Sequence, residues 1–200
     1  MARKKSVDLE LTKNKILQAG LDTFKRQGFN ATGIQEIASI AGVPKGSFYN
    51  YFDSKEDFGV AIIVYYSEEF VKKWHRLLAQ GGSDPYLAIK YVFTQMIVEY
   101  EEAEHKPGCL LGNLAAELSE ASENCRAAMQ EVIHTWKDLM VIQLLAGQES
   151  GKVRKDLTAE ELADFFWDAW QGSLLRMKIE NSAAPVSSTL NILFDHVMSK

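Results

Sequence analysis

A short stretch from Lys45 to Lys55 carries polar side chains of the kinds that bind nucleic acid. It follows a Gly-Val-Pro corner and opens Lys-Gly-Ser-Phe-Tyr-Asn-Tyr-Phe. Tyrosine hydroxyls donate hydrogen bonds to phosphate oxygens, an asparagine amide pairs with the edge of adenine, and lysines neutralise phosphate charge. The residue types in this stretch therefore predict contact with DNA.

These side chains need a helix that turns them outward. Phe48 and Phe52 are four residues apart, so they share one face of a short helix, and their apolar rings predict that this face packs inward. The polar residues then face outward; they are Lys45, Ser47, Tyr49, Asn50 and Tyr51, with Lys55 opening the next helix. The alternative is that the tyrosines pack between helices.

Two further helices before this stretch complete a helix-turn-helix. The first is predicted from about Leu9 to Gln27 and ends at Gly28. Thr32 followed by Gln35 predicts a capping box at the start of the second. The last helix of such a unit enters the major groove with its N-terminal part.

The rest of the chain predicts helices and no strand. Four prolines in 200 residues leave long uninterrupted stretches, with a clear break at Gly81–Pro85. A helix over 158–181 opens with the capping sequence Thr-Ala-Glu-Glu. The predicted fold is all-α with about nine helices, of which the first three form the helix-turn-helix head on a helical body.

Charge is distributed unevenly along the chain. Residues 1–55 contain nine basic and five acidic residues, a net +4, whereas the other 13 basic and 22 acidic residues give −9. A basic head on an acidic body suits a protein that binds phosphates at one end. Chance scatter of surface charges is the alternative.

Several classes of protein are disfavoured. No apolar run approaches the about 18 residues of a membrane span, and no apolar segment follows the basic start, so we expect a cytoplasmic protein without a membrane partner. Phosphate loops, metal-ligand clusters and nucleophile–base sets are absent from the sequence. We therefore expect no cofactor, no metal and no enzymatic activity.

Outside the head, Cys109 is the residue whose surroundings most clearly predict chemical reactivity. It lies in His-Lys-Pro-Gly-Cys-Leu-Leu at the predicted start of a helix, beside His105 and Lys106. A helix N-terminus and nearby cations favour the thiolate form of cysteine, which reacts with electrophiles and oxidants. The alternative is an ordinary buried cysteine. Cys125, which lies among acidic residues, is interpreted as structural.

The segment from about Ile16 to Val60 resembles the DNA-binding domain of TetR-family transcriptional regulators. The resemblance rests on A-G-L-D-T-F-K-R-Q-G-F-N-A-T-G-I-Q-E-I-A-S-I-A-G-V-P-K-G-S-F-Y-N-Y-F-D-S-K-E. It implies operator contacts at Thr32, Lys45, Gly46, Tyr49, Asn50, Tyr51 and Lys55. The sequence departs from the family pattern at two positions. Phe58 stands where the family more often has Leu, and Asn50 stands beside a position at which the family commonly has His. The second departure leaves the base preference open.

The resemblance also implies a homodimer, in which the last two long helices of each copy form a four-helix bundle. The predicted helix over 158–181 supports this, because its apolar residues are too widely spread for one packing face. The interface residues are predicted as Phe166, Ala169, Ser173, Met177, Leu190, Leu193, Phe194 and Val197. A monomer with a broad buried helix is the alternative. Residues 1–55 are then the DNA-binding domain and 56–200 the regulatory and dimerisation domain.

Members of this family usually sense a small molecule in a pocket of the body, and binding there spreads the two heads away from their half-sites. The pocket-lining residues are predicted as Tyr86, Phe93, Met96, Tyr100, Trp136, Met140, Trp167 and Trp170. For each of these, ordinary core packing is the alternative.

The region of Cys109, together with W-Q-G-S-L-L-R-M-K-I-E-N-S-A-A-P near the end of the chain, resembles the NemR-like electrophile-sensing branch of the family. The resemblance implies that Cys109 is the sensing cysteine and that Lys178 can approach it. A nearby ammonium would stabilise the thiolate and could condense with an oxidised sulfur.

The sequence thus predicts a homodimeric repressor of a palindromic double-stranded operator. A small molecule, or modification of Cys109 by an electrophile or oxidant, would release it. One alternative is a repressor of the same family with a reversible pocket ligand and no thiol sensing. Two others are a thiol-dependent detoxifying protein and a DNA-bridging architectural protein without a signal.

Overall fold

The computed structural model describes residues 2–104, 106 and 108–200, and the side chains from residue 9 onward within them. Over these residues the chain forms nine α-helices and no strand, which confirms the predicted all-α fold. The helices are α1 (Ala2–Gln27), α2 (Ile34–Ile40), α3 (Lys45–Phe48), α4 (Lys55–Gln80), α5 (Pro85–Glu102), α6 (Leu110–Leu118), α7 (Glu123–Glu149), α8 (Ala159–Glu180) and α9 (Ala184–Ile192). A π-helical turn, Leu193–Val197, continues α9. Among the described helices, none is long and apolar enough to cross a membrane.

One compact unit contains Met1–Glu68 and Leu110–Val132, and therefore holds the helix-turn-helix, α6 and the first part of α7. Its core is built around Phe58. The centroid of the Phe58 ring lies 5.8 Å from that of Phe24, 5.0 Å from Phe48 and 4.8 Å from Phe52, all edge to face. Such pairs add to the burial of apolar area, so these four rings fix how α1, α3 and α4 pack.

The predicted capping box at Thr32 is wrong. The N-cap of α2 is Gly33, and no side chain caps this helix. The Thr32 hydroxyl instead donates to the Gly28 carbonyl oxygen at 2.6 Å, because the chain reverses tightly between α1 and α2. Local hydrogen bonding of threonine to the preceding backbone competes here with capping.

The second compact unit contains Glu69–Cys109 and Ile133–Lys200. Its core holds an aromatic cluster centred on Phe93, whose ring centroid lies 5.9 Å from Trp74, 4.5 Å from Phe166 and 4.9 Å from Trp170. The predicted capping box at the start of α8 is confirmed, with the Thr158 hydroxyl accepting from the Glu161 N–H.

Candidate DNA-binding surface and sensing site

The short helix α3 divides its side chains sharply between core and solvent. Phe48 is fully buried, whereas the next residue, Tyr49, is 49% exposed. Lys45, Gly46 and Asn50 are exposed, and Ser47 and Tyr51 are partly exposed. A Cβ atom placed on Gly46 would meet nothing within 4 Å, so the backbone there is open to a partner. The predicted contacts on α3 and in the turn after it are therefore accessible.

Thr32 and Lys55 are engaged inside the protein. Thr32 is buried, with its hydroxyl bonded to Gly28 as described above. The Lys55 ammonium lies 4.4 Å from the centroid of the Phe29 ring and 3.4 Å from the Asn30 carbonyl oxygen, to which it donates. Burial lowers the pKa of Lys55, and the nearby Glu117 carboxylate opposes that change. Contact of these two residues with DNA stays a prediction.

Glu117 of α6 is a residue of this unit that sequence reasoning missed. Its carboxylate oxygens accept hydrogen bonds from the backbone N–H groups of Phe29, at 3.1 Å, and Asn30, at 2.7 Å. Both donors belong to the turn between α1 and α2. The interaction joins residues almost ninety positions apart, so no local sequence signal could have indicated it.

Cys109 is buried, 7% exposed, and directly precedes α6. The nearby cation does not lie free at this helix start, because Lys106 Nζ donates to the carbonyl oxygens of Glu101, at 3.2 Å, and Ala103, at 2.6 Å. Lys106 thus satisfies carbonyls at the end of α5. The other predicted cation, His105, lies outside the described residues.

Tyr100 is a neighbour of Cys109 with a strongly altered ionisation. Burial raises the pKa of the Tyr100 hydroxyl, and electrostatic interaction with Cys109 and Glu99 raises it further. The hydroxyl therefore remains protonated and able to donate a hydrogen bond at physiological pH. Lys178 is exposed on α8, in contrast to the buried Cys109, and the approach of the two residues stays a prediction.

Cys125 has a different environment. It is fully buried at the start of α7, where its backbone N–H donates to Ser122 Oγ at 3.1 Å. Its sulfur lies 3.8 Å from the Glu56 carbonyl oxygen. Burial raises the pKa of the Cys125 thiol, which disfavours the reactive thiolate. These features fit the structural role predicted for this cysteine.

All eight predicted pocket residues belong to the second unit. Tyr86, Phe93, Met96, Trp136, Met140 and Trp170 are buried, and Tyr100 and Trp167 are partly exposed. The structure brings Phe93 against Trp170, and Trp136 against Trp167 at 5.3 Å between ring centroids. Tyr86 packs instead on Phe194, to whose carbonyl oxygen its hydroxyl donates.

Gln171, one helical turn beyond Trp167, is a second residue that sequence reasoning missed. Its Nε2 atom is buried and has no hydrogen-bond partner among the residues that the structure describes. A buried amide donor left unpaired costs about 1–3 kcal/mol, so such groups call for an explanation. The signal in the sequence was a glutamine directly after the aromatic residues Phe165, Phe166, Trp167 and Trp170.

The predicted dimer-interface residues lie largely inside one chain. Phe166, Ser173, Met177, Leu190, Leu193 and Phe194 are buried, and Ala169 and Val197 are partly exposed. The apolar side chains that these helices expose are a different set. They are Phe165, Leu175 and Ile179 on α8 and Ile192 on α9, which are more than half exposed.

Two family models match the chain. The model described as "Bacterial regulatory proteins, tetR family" matches residues 16–62, and the model described as "Tetracyclin repressor-like, C-terminal domain" matches residues 88–193. The first match covers the helix-turn-helix, and the second covers most of the body.

Whole-chain relatives carry related names. The chain is 32% identical to the HTH-type transcriptional repressor DhaR of Mycobacterium sp. (strain GP1), over 92% of this chain and 90% of that protein. It is 34% identical to the transcriptional regulator AcuR of Cereibacter sphaeroides, over 96% of this chain and 88% of that protein. The crystal structure of E. coli NemR in its reduced form has a TM-score of 0.84 and 28% identity, covering 94% of this chain and 98% of that one. On these matches, the chain belongs to the TetR family of transcriptional repressors, which are DNA-binding proteins and not enzymes.

Proposed function

We propose that this TetR-family repressor acts in the cytoplasm, binds a palindromic double-stranded operator as a homodimer, and releases it when an electrophile or oxidant modifies Cys109. The DNA-binding part is carried by one observation, the exposed polar face of α3 over the buried Phe48. In this account residues 1–55 bind DNA, and residues 56–200 dimerise and sense the signal.

Each exposed residue at α3 has a chemical role in operator binding. The Asn50 amide donates to and accepts from an adenine edge in the major groove, which supplies sequence preference. The Tyr49 and Tyr51 hydroxyls and the Lys45 ammonium bind phosphate oxygens, which set the position of the helix on the duplex. The open backbone at Gly46 lets the phosphates approach closely.

The second copy covers the exposed apolar stripe of α8. TetR repressors act as dimers. Phe165, Gly172 and Ile179 follow one another at intervals of seven residues, so they share one face of the helix, with Leu175 beside them. Ile179 is 75% exposed in the single chain, and a Cβ on Gly172 would meet nothing within 4 Å. An apolar stripe with a small residue at its centre fits close, two-fold packing against itself.

The position of Cys109 supports its role in release. The thiol adds to an electrophile such as N-ethylmaleimide by forming a bond from sulfur to one alkene carbon, and the thiol proton ends on the other carbon. Because Cys109 is buried, an adduct on its sulfur adds atoms to a site enclosed by protein, and we expect neighbouring groups to be displaced. The displaced chain includes α6, which begins at the next residue.

This proposal is tested with operator DNA and N-ethylmaleimide on the wild type, Cys109→Ser and Cys125→Ser. We expect treatment to release the wild type and Cys125→Ser, and mass spectrometry to place the adduct on Cys109. Cys109→Ser should bind DNA with unchanged affinity and resist treatment. Release of treated Cys109→Ser would show that this cysteine is not the sensor.

A reversible ligand is a second candidate signal, and Gln171 favours it. Its unpaired Nε2 donor, on α8 one helical turn beyond Trp167, whose ring pairs with that of Trp136, suits a small molecule with an acceptor oxygen and an apolar body. Benzoate and benzaldehyde provide such an oxygen, and toluene does not. We expect the first two to quench tryptophan fluorescence of the wild type and of the exposed control Gln130→Met, but not of Gln171→Met. Equal quenching in all three proteins would remove Gln171 from the site.

A further inference from the structure

The turn between α1 and α2 is held by a carboxylate that comes from α6. Glu117 Oε1 accepts from the Phe29 N–H at 3.1 Å, and Oε2 accepts from the Asn30 N–H at 2.7 Å. Hydrogen bonds from backbone N–H groups to an ionised carboxylate are stronger than those between neutral groups. Each oxygen of this one side chain therefore fixes a different backbone amide of the head.

Gly28 shows how closely this turn fits the carboxylate. Its φ of +81° is in the left-handed region that favours glycine. A Cβ atom at this position would also lie 2.3 Å from Glu117 Oε1. Both the backbone conformation and the space for the carboxylate thus require glycine at the end of α1.

Further contacts connect the same turn to the start of α4. The Lys55 ammonium donates to the Asn30 carbonyl oxygen and lies over the Phe29 ring, so it contacts both residues whose N–H groups Glu117 binds. Within the turn itself, the Thr32 N–H donates to the Phe29 carbonyl oxygen at 3.1 Å. The Glu117 carboxylate therefore binds the same two residues that Lys55 and Thr32 contact, and these contacts together order Gly28–Thr32, which ends one residue before Gly33, the N-cap of α2.

We propose that Glu117 is a positioning residue for DNA binding, through which α6 holds the α1–α2 turn and thereby sets the orientation of α2 and α3. We also propose that these two hydrogen bonds are lost when the operator is released. This second part rests on the proposed function, because α6 begins directly after Cys109. Displacing the start of α6 would pull its Glu117 end away from the turn.

The first test compares Glu117→Ala and Glu117→Gln with the control Glu120→Ala, which removes the same charge from an exposed neighbouring position. We expect Glu117→Ala to weaken operator binding roughly tenfold, since two charge-assisted hydrogen bonds are lost. Glu117→Gln keeps one acceptor oxygen and should lie between Glu117→Ala and the wild type. The control should bind like the wild type.

Amide hydrogen exchange separates positioning from a general loss of stability. We expect Glu117→Ala to speed exchange at Phe29 and Asn30 specifically, while amides of α8 keep their wild-type protection. Wild-type exchange at Phe29 and Asn30 in a folded Glu117→Ala protein would overturn the proposal. So would uniformly faster exchange over the whole chain, because it would show a purely structural role.

The second test follows the same two amides after N-ethylmaleimide treatment. We expect faster exchange at Phe29 and Asn30 in the treated wild type and no change in treated Cys109→Ser. If treatment releases DNA while these amides keep their protection, the transmission step is wrong although the sensing role stands. If treatment releases no DNA, the sensing role fails, whereas the untreated variants still decide the positioning role.

Discussion

Two neighbouring aromatic pairs, Phe48–Tyr49 in the head and Phe165–Phe166 in the body, each divide between core and solvent. Phe48 is fully buried and Tyr49 is 49% exposed, while Phe166 is 3% exposed and Phe165 is 54% exposed. In the head the outward residue is Tyr49, whose polar hydroxyl favours contact with water over burial. In the body both residues are phenylalanine, so polarity does not tell which of them turns inward.

The comparison shows why the outward face of α3 could be predicted from the sequence more easily than the outward face of α8. A surface that binds DNA is polar and contrasts with the core beneath it. A surface that binds a second copy of the chain is apolar like the core, and helical spacing alone does not separate the two. The predicted interface therefore contained mostly residues that one chain buries by itself.

The largest effect should come from charging the exposed stripe of α8. In Ile179→Asp each copy would bury an unpaired carboxylate at the interface, and each such charge costs about 3–5 kcal/mol. We expect a folded monomer by sedimentation and a loss of tight operator binding. The matched control is Leu87→Asp on α5, which is also more than half exposed and should remain dimeric. A dimeric Ile179→Asp protein would show that another surface forms the interface.

The next largest effect should separate the two phenylalanines of α8. Phe166 packs on Phe93 and Trp170, so Phe166→Ala should lower the free energy of unfolding by about 3–5 kcal/mol at any protein concentration. Phe165→Ala should instead lower the unfolding midpoint only at protein concentrations where the wild type is dimeric, since it weakens association and leaves the core of a single chain intact. Equal, concentration-independent losses in the two variants would break the distinction between core and interface.

In the head, replacing Asn50 should have a smaller and more selective effect. Asn50→Ala should weaken operator binding by about 1–3 kcal/mol and relax the preference at one base pair, because the amide reads a base edge. Binding to scrambled DNA should stay unchanged. Anisotropy titrations on operators substituted at single positions measure this, with the exposed Asn124→Ala as control. A uniform loss across all sequences would assign Asn50 to phosphate contact instead.

The smallest effect is expected at Thr32, where the buried hydroxyl donates to Gly28. Thr32→Val keeps the shape but removes this hydrogen bond, so it should lower the free energy of unfolding by about 0.5–1.5 kcal/mol. Operator affinity measured on the folded variant then tests whether Thr32 contacts DNA, as predicted from the sequence. An unchanged affinity would leave Thr32 with a structural role only.

Much of the head could be predicted because its signals are local. The inward placement of Phe48 and Phe52 follows from a four-residue spacing, and the structure confirms it. The capping box at Thr158 was likewise readable from four consecutive residues. Thr32 carried a similar signal, but the capping box predicted there is wrong, since its hydroxyl donates to the Gly28 carbonyl oxygen in the preceding turn.

Long-range contacts could not be predicted in this way. Glu117 reads as an ordinary surface acid of an amphipathic helix, and only the fold brings it to Phe29 and Asn30. The sequence predicted that Lys106 favours a thiolate at Cys109, yet its ammonium binds carbonyls at the end of α5. In both cases the partners are backbone groups, which look alike at every position of a sequence.

The most direct test of the central claim is an anisotropy titration of the dimer on DNA from upstream of its own gene and on scrambled DNA, at one fixed salt concentration. Each titration is run with and without N-ethylmaleimide. The account predicts tight binding to the upstream DNA alone, and its loss after treatment. Equal affinity for both DNAs, changing only with salt, would contradict sequence-specific repression.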